Sequence, residues 1–208
     1  MTAVRPTVRS RGAALRLAGV LVGAAGLLQI ALWFAPLGLV GAGRVAPILL
    51  AGLLGSAAVV LARGADAGGG LVGRRGGAAL IAFAVLLVLG PVVRLATPAS
   101  DSLGIMVGSS VLSGAILALS VIAAALGLAA LAAARSVPLR AVVVAAVALA
   151  LHVLGGVITS IPGLVVAVPA QEVLLALYAI GSVAETLSLI AVGLVWFLTG
   201  RSLLASGR

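Results

Sequence analysis

The chain of 208 residues contains no cysteine, and its thirteen basic residues are all arginine. Without cysteine there is no disulfide, iron–sulfur cluster, thiolate-bound zinc or cysteine nucleophile. Without lysine there is no retinal Schiff base and no Ser–Lys catalytic dyad. The single histidine excludes a bis-histidine haem, and the HExxH motif of zinc proteases is absent.

Acidic residues are scarce as well, because the chain has only Asp66, Asp101, Glu172 and Glu185. An aspartyl intramembrane protease needs two aspartates inside the membrane, and both aspartates of this chain fall in predicted loops. No GxSxG motif accompanies His152, which argues against a serine hydrolase. We therefore expect no catalytic residue, no cofactor, no metal and no enzymatic activity.

Charged residues make up only 8% of the chain, whereas hydrophobic residues make up 63%. A soluble domain carries about 25% charged residues, so this chain lacks the polar groups needed to cover an aqueous surface. Its surface must face a lipid bilayer, and long apolar runs that cross a bilayer form helices. The composition predicts an all-α integral membrane protein with a single membrane domain.

Apolar stretches of about 20 residues, the length that crosses the hydrocarbon core of a bilayer, recur along the chain. The predicted helices are 15–34, 45–62, 78–96, 103–134, 139–159 and 171–199. They make a six-transmembrane-helix bundle over 15–199, between a basic N-terminal tail at 1–14 and a C-terminal tail at 200–208. The first apolar run is longer than that of a signal peptide, so we expect an uncleaved helix.

The placement of arginine sets the expected orientation. With a cytoplasmic N-terminus, eleven arginines lie inside and only Arg44 and Arg94 lie outside. This asymmetry follows the positive-inside rule and places both termini in the cytoplasm. The arginines flank apolar segments and do not form a patch with aromatic residues, so nucleic acid is not an expected partner. The bias toward alanine, leucine, valine and glycine suits a GC-rich genome, which favours the plasma membrane of a bacterium.

Tryptophan prefers the two membrane interfaces, and the tryptophans of this chain fall near predicted helix ends. Trp33 lies at the outer end of the first helix, and Trp196 lies at the inner end of the sixth. Their positions agree with the orientation that the arginines indicate.

Small residues recur at helical spacing and predict the faces through which the helices pack, because close approach matters more than apolar area in lipid. The predicted faces are Gly19, Gly23 and Gly26 in the first helix, Gly52 and Ser56 in the second, and Ser109, Ser113, Ser120, Gly127 and Ala134 in the fourth.

Glu185 is the leading candidate for a functional residue, because it lies near the middle of the sixth predicted helix. A charge at the bilayer centre costs at least about 2.5 kcal/mol, so this group must face the protein interior, find a partner or stay protonated. Helical spacing places Tyr178 and Ser182 on the same face as Glu185. His152 in the fifth helix and Gln29 in the first lie at compatible depths.

Two hypotheses account for these five residues. In the first, they form a binding pocket or proton-coupled site that opens outward, in which histidine and carboxylate exchange a proton. Alternatively, a hydrogen-bonded staple joins the fifth and sixth helices. For His152 alone, and for Gln29, Tyr178 and Ser182, packing is the default interpretation.

Three further charged residues, Arg94, Asp101 and Glu172, lie near the outer interface. Arg94 forms an ion pair with one of the two acids or extends to the lipid headgroups as an anchor. The anchor is the simpler interpretation, since a pair at a wet interface contributes little.

Two functions from different classes stay open. The first is a small transport or solute-binding membrane subunit that uses the site around Glu185. In helix count and size the chain resembles the substrate-binding components of energy-coupling-factor vitamin transporters, although its 3% aromatic content argues against a vitamin pocket. The second is a structural or accessory protein that packs against other membrane subunits.

Overall fold

The computed structural model of the chain describes residues 8–34, 42–64, 71–96, 103–135, 137–160 and 171–206. These residues form six α-helices, α1 (Val8–Trp33), α2 (Ala42–Arg63), α3 (Arg74–Ala96), α4 (Leu103–Ala133), α5 (Leu139–Ser160) and α6 (Gln171–Ser206). Five of the helices are long and apolar enough to cross a membrane, as the composition predicts. In α5 the apolar stretch found among the described residues is shorter, Leu139–Leu154.

The first and last helices extend beyond the apolar stretches that mark them in the sequence. α1 begins at Val8 rather than at 15, and α6 continues to Ser206 rather than ending at 199. Arginine is among the better helix formers, so a helix continues through basic residues where hydropathy falls. Hydropathy therefore locates the apolar part of each helix, and the hydrogen-bonded helix is longer.

The helices close into a ring. Each helix packs against its neighbours in the chain, and α6 also packs against α1. The α1–α6 contact is the most extensive of these pairs, and the α4–α5 contact is the least extensive among the described residues. The first and last helices therefore close the ring, through the most extensive helix–helix contact in it.

One end of the ring, which we call the proximal end, holds the start of α1 and the end of α6. There Gly12 of α1 lies against Gly200 of α6, and Gly76 of α3 lies against Ala130 of α4. Short connections join α2 to α3 and α4 to α5 at this same end. The arginines whose side chains the structure describes gather toward it: Arg9, Arg11, Arg16, Arg63, Arg74, Arg75, Arg135, Arg140 and Arg201.

Glycine allows α1 and α6 to touch through their backbones. A Cβ atom added at Gly19 would lie 2.5 Å from the backbone nitrogen of Phe197, and one added at Gly193 would lie 2.6 Å from the Cα of Gly23. We call this contact the glycine seam, formed by Gly12, Gly19, Gly26, Gly193 and Gly200. Its members recur every seven residues along each helix, and the stripe predicted for the first helix is confirmed.

The predicted stripe of α4 is confirmed at its centre. A Cβ atom at Gly127 would lie 2.5 Å from the side chain of Leu80, and Ser120 is buried. The stripe predicted for α2 is wrong, because a Cβ atom at Gly52 meets nothing within 4 Å and Ser56 is exposed. The packed small residue of α2 is Gly55, which lies against Ala84 of α3.

The glycine seam can be tested with a matched pair of glycine substitutions. We expect Gly193→Ala to lower the free energy of unfolding by about 1–3 kcal/mol, because the added methyl group overlaps the backbone of α1. Gly52→Ala should be neutral or stabilising by up to about 1 kcal/mol, since alanine is the better helix former and the space there is open.

Reversible unfolding in bicelles, followed by circular dichroism, measures both variants under one condition. Equal effects of the two substitutions would show that backbone contact between α1 and α6 does not limit stability.

Candidate functional site

The structure brings His152 and Glu185 into direct contact between α5 and α6. The Nδ1 atom of His152 lies 2.5 Å from the Oε1 atom of Glu185. A hydrogen bond between these atoms requires one proton between them, held either as imidazole N–H or as carboxyl O–H. The two most polar groups predicted for the middle of the helices therefore satisfy each other.

The pair is not sealed within the protein. The His152 side chain is 42% exposed and the Glu185 side chain is 27% exposed. Both residues also belong to the wall of a central cavity. This exposure distinguishes the pair from a hydrogen bond closed inside a packed core.

A cavity of about 140 Å³ lies at the centre of the ring. All six helices contribute to its wall, which is mostly leucine, alanine and valine. The lining residues are Val22, Leu54, Ala57, Ala58, Leu61, Leu80, Phe83, Leu87, Ser120, Val121, Ala124, Leu128, Ala145, Ala148, Leu149, His152, Glu185, Ser188, Leu189, Val192 and Trp196. A cavity of about 150 Å³ with apolar walls holds a molecule the size of benzene.

The polar groups of the cavity cluster away from the proximal end. On α6 the wall runs from Glu185 to Trp196, and on the antiparallel α5 it runs from His152 back to Ala145. Glu185 and His152 are thus the residues of these two walls that lie farthest from the proximal end. On α4 the wall begins at Ser120. The cavity is consequently apolar at one end and polar at the other.

Two serine hydroxyls in the cavity wall donate their protons to backbone carbonyl oxygens. Ser120 Oγ donates to the carbonyl oxygen of Leu117 at 2.7 Å, and Ser188 Oγ donates to the carbonyl oxygen of Glu185 at 2.7 Å. A hydroxyl has one proton and two lone pairs, so each serine keeps only acceptor capacity for a guest.

Trp196 forms a second link between α5 and α6. It is buried, and its Nε1 donates to the carbonyl oxygen of Ala141 at 2.9 Å. The indole points into the bundle rather than toward lipid, and a backbone oxygen satisfies its N–H. Eleven residues separate Ala141 from His152 and Glu185 from Trp196, which is about three helical turns on each helix.

The other predicted site residues do not join the pair in the described part of the chain. Ser182 and Gln29 are half-buried on α6 and α1, and neither belongs to the cavity wall described above. Asp101 lies outside the described residues, as do the side chains of Tyr178, Arg94 and Glu172. Among the residues whose side chains are described, no three histidine or acidic groups come together to hold a metal ion.

Sequence reasoning missed Ser188 and the cavity itself. Ser188 follows Glu185 by three residues, so helical spacing alone places it near the same face. The cavity has no such signal, because its wall is made of leucine, alanine and valine residues that resemble those facing lipid.

Comparisons of the chain with models of protein families, with characterised proteins and with solved structures find no match. A functional conclusion therefore depends on the geometry of the cavity and of the His152–Glu185 pair.

A double-mutant cycle measures how strongly the pair couples α5 to α6. We expect His152→Phe and Glu185→Leu to show a coupling free energy of about 0.6–2 kcal/mol, the range of hydrogen bonds between helices in membranes. The apolar replacements avoid leaving one polar partner alone in the double variant.

The control cycle pairs His152→Phe with Thr199→Val, a buried α6 residue about 20 Å from Glu185 along the helix. That cycle should be additive. Coupling of the same size in both cycles would rule out a specific contribution of the His152–Glu185 contact.

Proposed function

We propose that the protein binds and moves a small solute across the membrane, with the central cavity as its binding site. The observation that carries this proposal is the position of the His152–Glu185 pair at the polar end of a cavity lined by all six helices. An apolar pocket with a few convergent polar groups is the usual form of a small-molecule site.

The same pair could instead serve only to hold α5 against α6. Two features favour the solute-binding function. The Trp196–Ala141 bond already links the two helices and is buried, whereas the His152–Glu185 pair is open to the cavity. An ionisable pair is also an expensive way to join two helices, because a lone charge at this depth is destabilising.

The alternative function is that of an accessory subunit that packs against a larger membrane complex. Its main support was the abundance of small residues, which are typical of helix–helix interfaces in lipid. The glycine seam and the contact of Gly127 with Leu80 use many of these residues within the chain. Fewer are left for a partner, such as Gly52 and Gly114, which meet nothing within 4 Å. Co-purification of a stoichiometric partner from native membranes would favour this alternative.

We further propose that all six helices cross the membrane and that both termini are cytoplasmic. α5 has 22 residues, or about 33 Å of helix, and packs between α4 and α6 in the ring. The nine arginines whose side chains are described gather at the proximal end, as expected for the cytoplasmic side of a plasma-membrane protein.

Cysteine labelling tests this topology directly, because the native chain has no cysteine. Phe34→Cys, at the exposed end of α1, should react with a membrane-impermeant maleimide in intact cells. Ser206→Cys, at the end of α6, should react only after permeabilisation. Reaction of both, or of Ser206→Cys alone, in intact cells would contradict the proposed orientation.

Filling the cavity tests the binding site. Ala148 lines the cavity, and Ala146 is exposed on the outer surface of α5. We expect solutes that raise the melting temperature of the wild-type protein in detergent to lose this effect in Ala148→Leu, because the larger side chain occupies their space. The matched variant Ala146→Leu should keep the response.

A broad solute panel without any thermal shift, or shifts that survive in Ala148→Leu, would count against the cavity as a binding site. The melting temperatures of both variants without solute show whether each is folded.

A further inference from the structure

We propose that the solute is a small primary ammonium compound with an apolar body, and that its binding releases the proton shared by His152 and Glu185. This inference rests on the proposed solute-binding function and specifies the class of ligand. It follows from the hydrogen-bonding capacity, size and charge balance of the cavity.

Hydrogen-bonding capacity favours a ligand that donates. The hydroxyl protons of Ser120 and Ser188 go to backbone carbonyl oxygens, which leaves only their lone pairs to face the cavity. Glu185 has a second carboxyl oxygen beyond the one that contacts His152. Acceptors therefore predominate at the polar end, and a primary ammonium group offers three donors and no acceptor.

Size and wall chemistry define the rest of the ligand. The volume of about 140 Å³ suits a body of roughly six non-hydrogen atoms, since benzene fits a cavity of similar volume. From the polar end toward Trp196 the wall is mostly aliphatic, with side chains such as Leu61, Leu80 and Leu128. An unbranched or cyclic hydrocarbon chain buries apolar surface there without leaving polar groups unpaired.

Charge balance links binding to proton release. In the proposed resting state Nε2 of His152 carries its own proton and a second proton is shared between Nδ1 and Glu185, so the pair has no net charge whether the shared proton is on the carboxyl group or on the imidazole. When an ammonium group pairs with the ionised Glu185 and the proton leaves, the cavity is again neutral. Retention of the proton would add a net positive charge to a site surrounded by apolar walls, which is unfavourable.

Within the described side chains, no other titratable group reaches the cavity wall. α1, α2, α3 and α4 contribute only apolar residues and Ser120 to it, and the remaining polar residues of α5 and α6 there are His152, Glu185, Ser188 and Trp196. The arginines whose side chains are described lie toward the proximal end. The exchange of a cation for a proton therefore takes place at one pair.

Three probes with the same five-carbon body separate the ligand classes: pentylammonium, 1-pentanol and pentanoate. Isothermal titration of the full chain in nanodiscs, in two buffers with different ionisation enthalpies, gives both affinity and the number of protons exchanged. We expect pentylammonium to bind most tightly and to release close to one proton. Below the pH at which the pair loses its proton, its affinity should rise about tenfold per pH unit.

The alternatives have distinct signatures. Tighter binding of 1-pentanol without proton exchange, or of pentanoate with proton uptake, would overturn the ammonium class and leave the solute-binding function standing. Pentylammonium binding without proton release would overturn the exchange. If none of the three probes binds, the proposed ligand class is wrong, and the broader solute panel decides separately on the solute-binding function.

Two variants at one position assign the effect to the carboxylate. Glu185→Gln should weaken pentylammonium binding by at least about tenfold and abolish proton release, because it removes the ionisable acceptor. Glu185→Asp keeps the carboxyl group and should still release a proton on binding. Ser56→Ala, on the exposed face of α2, should match wild type. Proton release that persists in a folded Glu185→Gln variant would refute the role of this pair.

Discussion

Backbone contact between the first and last helices is the constraint on which the rest of the structure depends. Five other helix pairs follow the order of the chain, but the ring closes only where α1 meets α6. In lipid the burial of apolar area gives little net drive for helix association, so closure needs the close approach that glycine allows. A side chain at Gly19 or Gly193 would separate the two backbones. The central cavity, to which all six helices contribute, depends on this closure.

Polar side chains are few inside the described bundle, and four of them donate to backbone carbonyl oxygens. Ser120, Thr186 and Ser188 donate to carbonyl oxygens of their own helices, and Trp196 donates to α5. Backbone oxygens thus satisfy these four neutral side chains. The His152–Glu185 contact differs, because both partners are ionisable side chains from different helices. The capacity to change charge in the middle of the described bundle is therefore concentrated at one point.

The sequence predicts best what depends on one helix at a time. Apolar length located the helices, and the depth of Glu185 and His152 within theirs placed them at similar levels. Features that depend on contacts with a neighbouring helix were harder to predict from the sequence. Gly52 and Gly55 are equally small, and only the position of Ala84 decides which of them packs. Trp196 has the sequence position of an interfacial residue, yet the carbonyl oxygen of Ala141 holds it inside. The cavity arises from residues of six helices and has no local pattern.

The two hydrogen-bonded contacts between α5 and α6 are separated by the same distance along both helices. Trp196 is bonded to Ala141, and Glu185 lies about 16 Å from Trp196 along α6. A tilt of α6 by roughly 10° about Trp196 would displace Glu185 by about 3 Å, which is enough to separate a hydrogen-bonded pair. Loss of the His152–Glu185 contact would leave the Trp196–Ala141 bond to join α6 to α5, while α1 continues to hold α6 through the glycine seam.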